Sequence, residues 1–488
     1  MSAGILIAIL LAAPALAGFA AILVRSPRAA EALNLAASLV SFLCALPLPF
    51  LVASAGETFL GGYVAVDRAA AWVVLCTSIV YLLASIYAVG YMRLLGEDRR
   101  LHWFYALFAG FGLTTLAGPF MNNVGIYWIA IELTTLVSTF LVAFEHAAES
   151  MEAAWKYIMV VSAGISLALL GTVLFYWGGS FVLGPTYDMT WAALGGAAPK
   201  MNHAVVTLAY LLVLVGYGTK VGLAPMHSWL PDAHSESPAP VSAMLSGALL
   251  NTAMFGIFRF LGIAKAAGLG AFPELALVAF GTLSLLVGAL FIVRQQGIKR
   301  LMAYSSIEHM GVVALGFGFG GPLGIAGALY HMLNHSLNKS LMFFGAGNVM
   351  RAYGTKEIGR IRGVLRHFPA QGLLWLAGAV AITGAPPFGL FLSELTIMRA
   401  GLKPSFAWAV YVMAALLIVI FIGFLNHFRA MYWDAEAAGD APSRKTSAWS
   451  AVPMWLALAP LLVLGLWWPA DLWSYLASVA QSMLPGVS

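Results

Sequence analysis

Two stretches of this chain each set an ionisable residue beside a proline-broken point in an otherwise apolar run. One reads GYGTKVGLAPMHSWLPDAH, in which Lys220 is followed by Pro225. The other reads ITGAPPFGLFLSEL, in which Pro386 and Pro387 are followed by Glu394. A charge in lipid costs about 2.5–3.5 kcal/mol on insertion scales, so it survives only facing protein or water. A helix broken at membrane depth is tolerated only where its freed backbone is buried or lines a cavity. The two stretches therefore mark a polar, hydrated path through a membrane domain. Paired breaks in corresponding halves of a chain also point to a transport site.

The composition agrees. Of 488 residues, 61% are hydrophobic and 9% charged, against about 25% charged in soluble domains. No polar stretch is long enough for a second, soluble domain. The first apolar run, from Ile5, lacks a basic leader and a clear cleavage site, and reads as a span rather than a signal peptide. Cys44 and Cys76 both lie in apolar runs. An iron–sulfur cluster needs about four thiolates, and no Gly-rich nucleotide fingerprint follows a plausible strand. The expectation is a chain with no cofactor and no metal of its own. Any redox centre serving it would sit in another subunit.

Runs of about 20 apolar residues count as spans, and fourteen are found: 3–24, 31–54, 69–92, 103–121, 124–145, 154–178, 203–225, 241–264, 272–293, 299–320, 322–348, 370–400, 406–428 and 450–469. The run 370–400 is too long for one straight span and reads as two half-helices. An amphipathic tail near 471–484 is expected at the surface. Fourteen spans put both termini on one side and sort the loops by charge. One side carries the 16 residues Arg25, Arg28, Arg93, Arg99, Arg100, Arg294, Lys299, Arg300, Arg351, Lys356, Arg360, Arg362, Arg366, Arg429, Arg444 and Lys445. The other carries the 6 residues Arg68, Lys200, Arg259, Lys265, Arg399 and Lys403. The positive-inside rule puts the rich side in the cytoplasm and both termini outside. The net charge of +5 thus reflects topology and not nucleic-acid binding.

A faint internal repeat is present. Glu132 precedes Lys220, and Glu308 precedes Glu394, at nearly equal spacing. Each pair places one acid inside a span and one ionisable group at a broken span. The expected organisation is N-terminal helices over 1–102, a first repeat over 103–264, a connecting helix over 265–298, a second repeat over 299–430 and a C-terminal helix and tail over 431–488. Opposite starting faces make it an inverted-topology pair.

The residues that carry chemistry lie in these units. Glu132, mid-span in YWIAIELTTLVSTFLVAF, is either a carboxyl held by a neighbouring Thr or the counter-charge for Lys220. A carboxylate near a buried lysine raises its proton affinity, and one that moves away lowers it. GALYHMLNHSLNKSLMFF sets His331, His335 and Lys339 at i, i+4 and i+8 on one helical stripe, with Asn334 and Asn338 as a second polar row. Three titratable groups in line read as a proton relay. His331 and His335 lack a third ligand at matching spacing, so metal ligation is not expected. Glu308 and His309 lie two turns into a span, with an interface position as the alternative. His227, Asp232 and His234 follow the first break and read as the cytoplasmic mouth of the path, or as caps of the half-helix. Glu145, His146, Glu149 and Glu152 read as an exposed acidic loop.

On these residues the chain resembles the antiporter-like membrane subunits shared by respiratory complex I, membrane-bound nickel–iron hydrogenases and Mrp-type sodium/proton antiporters. GTKVGLAPMHSWLPDAHSESPAPVSA, IKRLMAYSSIEHMG and HMLNHSLNKSLMFF carry the resemblance. WIAIELTTLVSTFLVAFE and GAPPFGLFLSEL look most like the F-type subunit of hydrogenase 4 and its formate hydrogenlyase relatives. The resemblance implies an all-α polytopic fold of about fourteen transmembrane helices with two inverted five-helix repeats and two broken helices. It implies that Glu132 partners Lys220, that Lys339 with His331 and His335 forms a central relay, and that Glu394 is the terminal site. It also implies a hetero-oligomer in the inner membrane of a prokaryote. Its partners would be other membrane subunits and a peripheral hydrogenase or dehydrogenase arm, and protons, with sodium as the alternative, would be the ion moved. Relatives often carry a lysine in the eighth span, where this chain has Asn251, which orients water but holds no proton at neutral pH. A complex I subunit, a Mrp-like antiporter subunit and a non-conducting scaffold are the rival readings.

Overall fold

The computed structural model describes residues 2–52, 56–95, 100–433, 442 and 447–482. Arg99, Arg444, Lys445 and the end of the tail lie outside the described residues. Each of the fourteen apolar runs contains helix, and the runs 203–225 and 370–400 are interrupted by described non-helical residues at 222–225 and 383–388. Among the described residues ten helices are long and apolar enough to cross a membrane, and the pair Ala451–Leu466 and Ala470–Ser482, bent by 87°, makes an eleventh if counted as one span.

The runs beyond these are the chemically interesting ones. Ile298–Phe319 and Gly321–Tyr353 fall short on apolarity because they carry charged and imidazole side chains, yet both are buried along nearly their whole length. Their polar groups face each other and not lipid, which is how an ionisable residue is tolerated at membrane depth. The run 370–400 is two half-helices, Pro369–Ile382 and Gly389–Gly401. The exterior is strongly apolar: Phe181 is 74% exposed and Leu466 72%. No soluble domain presents such a surface.

One departure from all-helical structure is a two-stranded hairpin, Glu57–Phe59 paired antiparallel with Val64–Val66. Another is a π-turn at Leu245–Leu249 inside the long helix Ala239–Ala266. There the carbonyl of Gly247 is left to accept from Ser336 Oγ at 2.6 Å, which ties this helix to Gly321–Tyr353.

Several surface charges are paired. Lys356 meets Glu236 at 2.9 Å, Arg300 meets Asp232, and Arg351 reaches the carbonyl of Leu94. Arg259 meets Asp67 at 2.6 Å, and Arg68 donates to Ser478 in the tail helix at 2.7 Å. The tail helix packs Leu476, Val479 and Ala480 inward.

Candidate functional site: a buried polar path

The first broken helix runs over His203–Val221 and resumes as Trp229–Glu236. Gly222 ends the first half in the left-handed region, at φ 79°, which favours glycine. The backbone freed by the break is satisfied from nearby. Trp229 Nε1 donates to Thr219 O at 2.7 Å, and Ser284 Oγ accepts from Ala224 N–H at 2.9 Å. Lys220 sits in the last turn of the first half, fully buried. Its ammonium favours the negative end of that half-helix.

Lys220 Nζ donates to Thr135 Oγ1 at 2.7 Å and to Tyr157 OH at 3.0 Å. Thr135 Oγ1 in turn lies 3.4 Å from Glu132 Oε2, while Ser162 Oγ donates to Glu132 Oε1 at 2.7 Å. The expected Glu132–Lys220 pair is therefore bridged, with a threonine between the charges. Glu132 itself is half-buried on the outer face of Val124–Val142. Close helix packing makes the reach possible. A Cβ on Gly216 would lie 2.4 Å from the backbone nitrogen of Ala168, so only glycine lets Ala148–Leu183 approach this near.

His227, Asp232 and His234 part company. Asp232 joins Lys156 and Arg300 in a surface ion cluster. His227 is half-buried with its ring 6.4 Å from that of Tyr304. His234 is fully buried against Trp229 and Phe343, and neither ring nitrogen has a protein partner among the described residues. It lies within electrostatic range of Lys339 and Lys299. Asp232 and His227 are partly exposed, whereas His234 belongs to the interior. Lys299 caps the same segment by donating to the carbonyls of Ser235, at 3.1 Å, and Ser237.

His331, His335 and Lys339 lie on one stripe of Gly321–Tyr353, all fully buried. Lys339 Nζ donates to Ser305 Oγ at 2.5 Å and to Met302 O at 3.2 Å. Eight residues, about 12 Å along the axis, separate it from His331. At that far end His331 Nε2 faces His309 Nδ1 at 3.0 Å, and His331 Nδ1 faces Ser393 Oγ at 2.9 Å. His335 lies between, its ring 5.5 Å from that of His309, with no partner for either nitrogen among the described residues.

Glu308 is 1% exposed and neither carboxylate oxygen has a hydrogen-bond partner among the described residues. Its Oε2 lies 3.4 Å from His309 Nε2. Glu394 is 4% exposed, and its Oε1 is likewise without a partner among the described residues. The backbone at Gly384, φ 67°, presses against the Glu394 carboxylate so closely that a Cβ there would lie 2.0 Å from Oε2. The second polar row grips the second broken helix. Asn338 Nδ2 donates to Gly378 O at 2.9 Å in one half, and Asn334 Oδ1 crowds Gly389 in the other.

Asn251 donates from Nδ2 to Ser336 Oγ at 2.9 Å and to Met332 O at 3.3 Å. It ties Ala239–Ala266 to Gly321–Tyr353, and an amide holds no proton at neutral pH. Thr135 answers to the neighbouring threonine expected beside Glu132, but its link to Lys220 was not legible, nor were Tyr157, Ser305 and Ser393 as site residues. Their only sequence signal was a hydroxyl inside an apolar run, which is common and usually bonds its own helix.

A buried polar atom left dry costs about 1–3 kcal/mol. Atoms of His234, His335, Glu308, Asn334, Asn338 and Glu394 are buried without a hydrogen-bond partner among the described residues, and in proteins buried water commonly serves such groups.

The sequence profile of the family described as "NADH:quinone oxidoreductase/Mrp antiporter, TM" matches residues 121–422, a stretch holding both breaks. The chain belongs to the NADH:quinone oxidoreductase/Mrp antiporter transmembrane family. This antiporter-family chain is 42% identical over 287 residues to a hydrogenase-4 component F homolog of Methylacidiphilum infernorum, covering 58% of itself and 60% of that protein. It is 31% identical over 385 residues to NAD(P)H-quinone oxidoreductase chain 4 2 of Thermosynechococcus vestitus, covering 77% and 69%. It spans 49% of hydrogenase-4 component B of Escherichia coli, at 30% identity over 67% of itself. The chain thus spans about half to two thirds of the length of these curated relatives. Its fold matches a chain of the archaeal membrane-bound sulfane sulfur reductase with a TM-score of 0.87 at 23% identity, covering 98% of this chain and 97% of that one. It matches a chain of the Mrp complex of Dietzia sp. with a TM-score of 0.86 at 20% identity, covering 99% and 97%. The antiporter-family chain is accordingly a multi-pass membrane protein.

Proposed function

We propose that this chain moves protons across the membrane as an antiporter-like subunit of a complex I-related redox complex of the hydrogenase-4 and formate hydrogenlyase kind. The observation that supports this reading is the series of buried and half-buried polar groups between the two breaks. Glu132, Thr135 and Lys220 open it, His234, Lys339 and His335 continue it, and His331, His309 and Glu394 close it at the second break. Redox free energy released in a peripheral arm would shift charge at one end, and alternating pairing would pass a proton along the row. The chain supplies the path and no redox centre. Resemblance to hydrogenase-4 components supports the type of complex, and the multi-subunit assemblies that hold similar chains support other membrane subunits as partners.

The proposed topology has fourteen crossings, both termini outside and the basic-rich side in the cytoplasm of a prokaryote. Helix order supports a repeat boundary other than 299. The broken helix is the fourth in Leu101–Ala266. It is the fourth in the second unit only if that unit begins at Phe272, so Phe272–Val293 belongs to the second repeat and is no connector.

Proton uptake into proteoliposomes carrying the complex purified through this subunit tests the function. Uptake driven by hydrogen oxidation or formate, lost on replacing Lys339, supports it. Sodium-dependent uptake without any redox donor would replace it with the Mrp-like reading, and unchanged uptake in every path variant would leave a scaffold.

A further inference from the structure

His309, His331 and Glu394 come from three different helices. One donor atom of each lies within 4.8 Å of the others, in side chains that are all buried. We propose that these three residues form a binding site for a divalent transition cation of the zinc class, and that a cation held there closes the polar path. The closing role rests on the proton-path reading above; the binding does not.

The local hydrogen bonds orient the donors. Ser393 Oγ donates to Leu390 O at 2.8 Å, so it accepts from His331 Nδ1–H at 2.9 Å. That sets the tautomer of His331 and leaves its Nε2 lone pair directed at His309 Nδ1, 3.0 Å away. Zinc–nitrogen bonds of about 2.0–2.1 Å place tetrahedral ligand atoms about 3.3 Å apart. The imidazole pair therefore opens by only a few tenths of an ångström to admit a cation. With Nδ1 bound, the His309 proton moves to Nε2, where Glu308 Oε2 waits at 3.4 Å. A carboxylate behind a ligating histidine is the usual outer support of a metal site.

Glu394 supplies the third donor. Its Oε1 has no hydrogen-bond partner among the described residues, and its carboxylate lies beneath the loop holding Pro386 and Pro387, which are exposed. Two imidazoles and one carboxylate select zinc, cobalt or nickel over magnesium and calcium, and three protein ligands leave a fourth position for water. The spacing of His331 and His335 offered no third ligand. The fold supplies it by pairing His331 with residues from other helices.

A seated cation would occupy the lone pairs of His331 and Glu394 that face each other across the path. It would also tie three helices together at one point. The test is titration of the purified full-length chain in lipid nanodiscs with Co2+, followed by Zn2+ competition. Intense tetrahedral ligand-field bands at one equivalent, displaced by Zn2+, are expected. Affinity should fall at least about tenfold in His309→Gln and in Glu394→Gln, and should hold in His335→Gln. Glu394→Gln, the isosteric change, keeps the test decisive if His309→Gln does not fold. A weak octahedral spectrum, or unchanged affinity in Glu394→Gln, overturns the site. In proteoliposomes carrying the chain with its co-purifying subunits, Zn2+ should stop uptake. Binding with undiminished uptake overturns the closing role. Failure of metal-free wild type to take up protons would overturn the path reading instead, while the Co2+ result would still decide the site.

Discussion

Thr135 accepts the ammonium of Lys220 at 2.7 Å and stands between it and the Glu132 carboxylate. A charge pair linked through a hydroxyl can be tuned by a small rotation of one side chain, whereas a direct pair must break to change state. A hydrogen bond to a charged group contributes about 1.5–3 kcal/mol. Thr135→Val, which keeps the shape and removes the hydroxyl, should slow proton transfer about 10- to 100-fold. Thr135→Ser should retain most of it. Uptake rates in proteoliposomes decide this, and equal rates in Val and wild type would make Thr135 a packing residue.

Lys339→Ala should abolish uptake with the complex still assembled. Its ammonium donates to Ser305 and Met302 O, and the buried carboxyl of Glu308 lies within electrostatic range of it without a direct hydrogen bond. Breaking a buried pair is destabilising chiefly when a charge is left unpaired. A native gel must show intact complex beside the transport loss. Normal uptake in an assembled variant would take Lys339 out of the path.

Glu394→Gln keeps size and hydrogen bonding but cannot exchange a proton. It should lose uptake nearly as fully as Glu394→Ala. The structure places His331 and His309 beside Glu394, so Glu394→Lys should crowd two imidazoles and recover only part of the rate. Full uptake in the Gln variant would make Glu394 structural.

Gly216→Ala should destabilise the chain, because the new Cβ meets the backbone of Ala168 and not a flexible side chain. Overpacking costs typically about 1–3 kcal/mol. Thermal unfolding in detergent should fall by several degrees, with loss of monodispersity on gel filtration. An unchanged unfolding temperature would show that Ala148–Leu183 and His203–Val221 are less closely packed than they stand here.

Reporter enzymes fused after Ser488, which lies outside the described residues, and inserted within 351–366 should report opposite faces. The first should be active outside and the second in the cytoplasm. A C-terminal reporter active only in the cytoplasm would overturn the topology and the inverted pairing of the repeats.

Much of the path was legible in one dimension. Pro225 and Pro386–Pro387 announce breaks because proline removes a donor and ends a helix wherever it falls. His331, His335 and Lys339 announce a stripe because helical geometry alone puts i, i+4 and i+8 on one face. Membrane class follows from composition. Depth and partners do not, because they depend on which helix packs against which. Glu308 reads the same at an interface or in a core until Gly288 and its helix are seen against it. His234 reads as part of a mouth until the fold buries it beside Phe343. Thr135 meets Lys220 across 85 positions of sequence, and His309 meets His331 and Glu394 from separate helices. Local periodicity carries no information about such meetings. The sequence by itself determined which residues must be hidden from lipid, since the cost of an exposed charge is a local property. The tertiary structure decided which of them touch, since contact between helices is set by packing and glycine-permitted close approach.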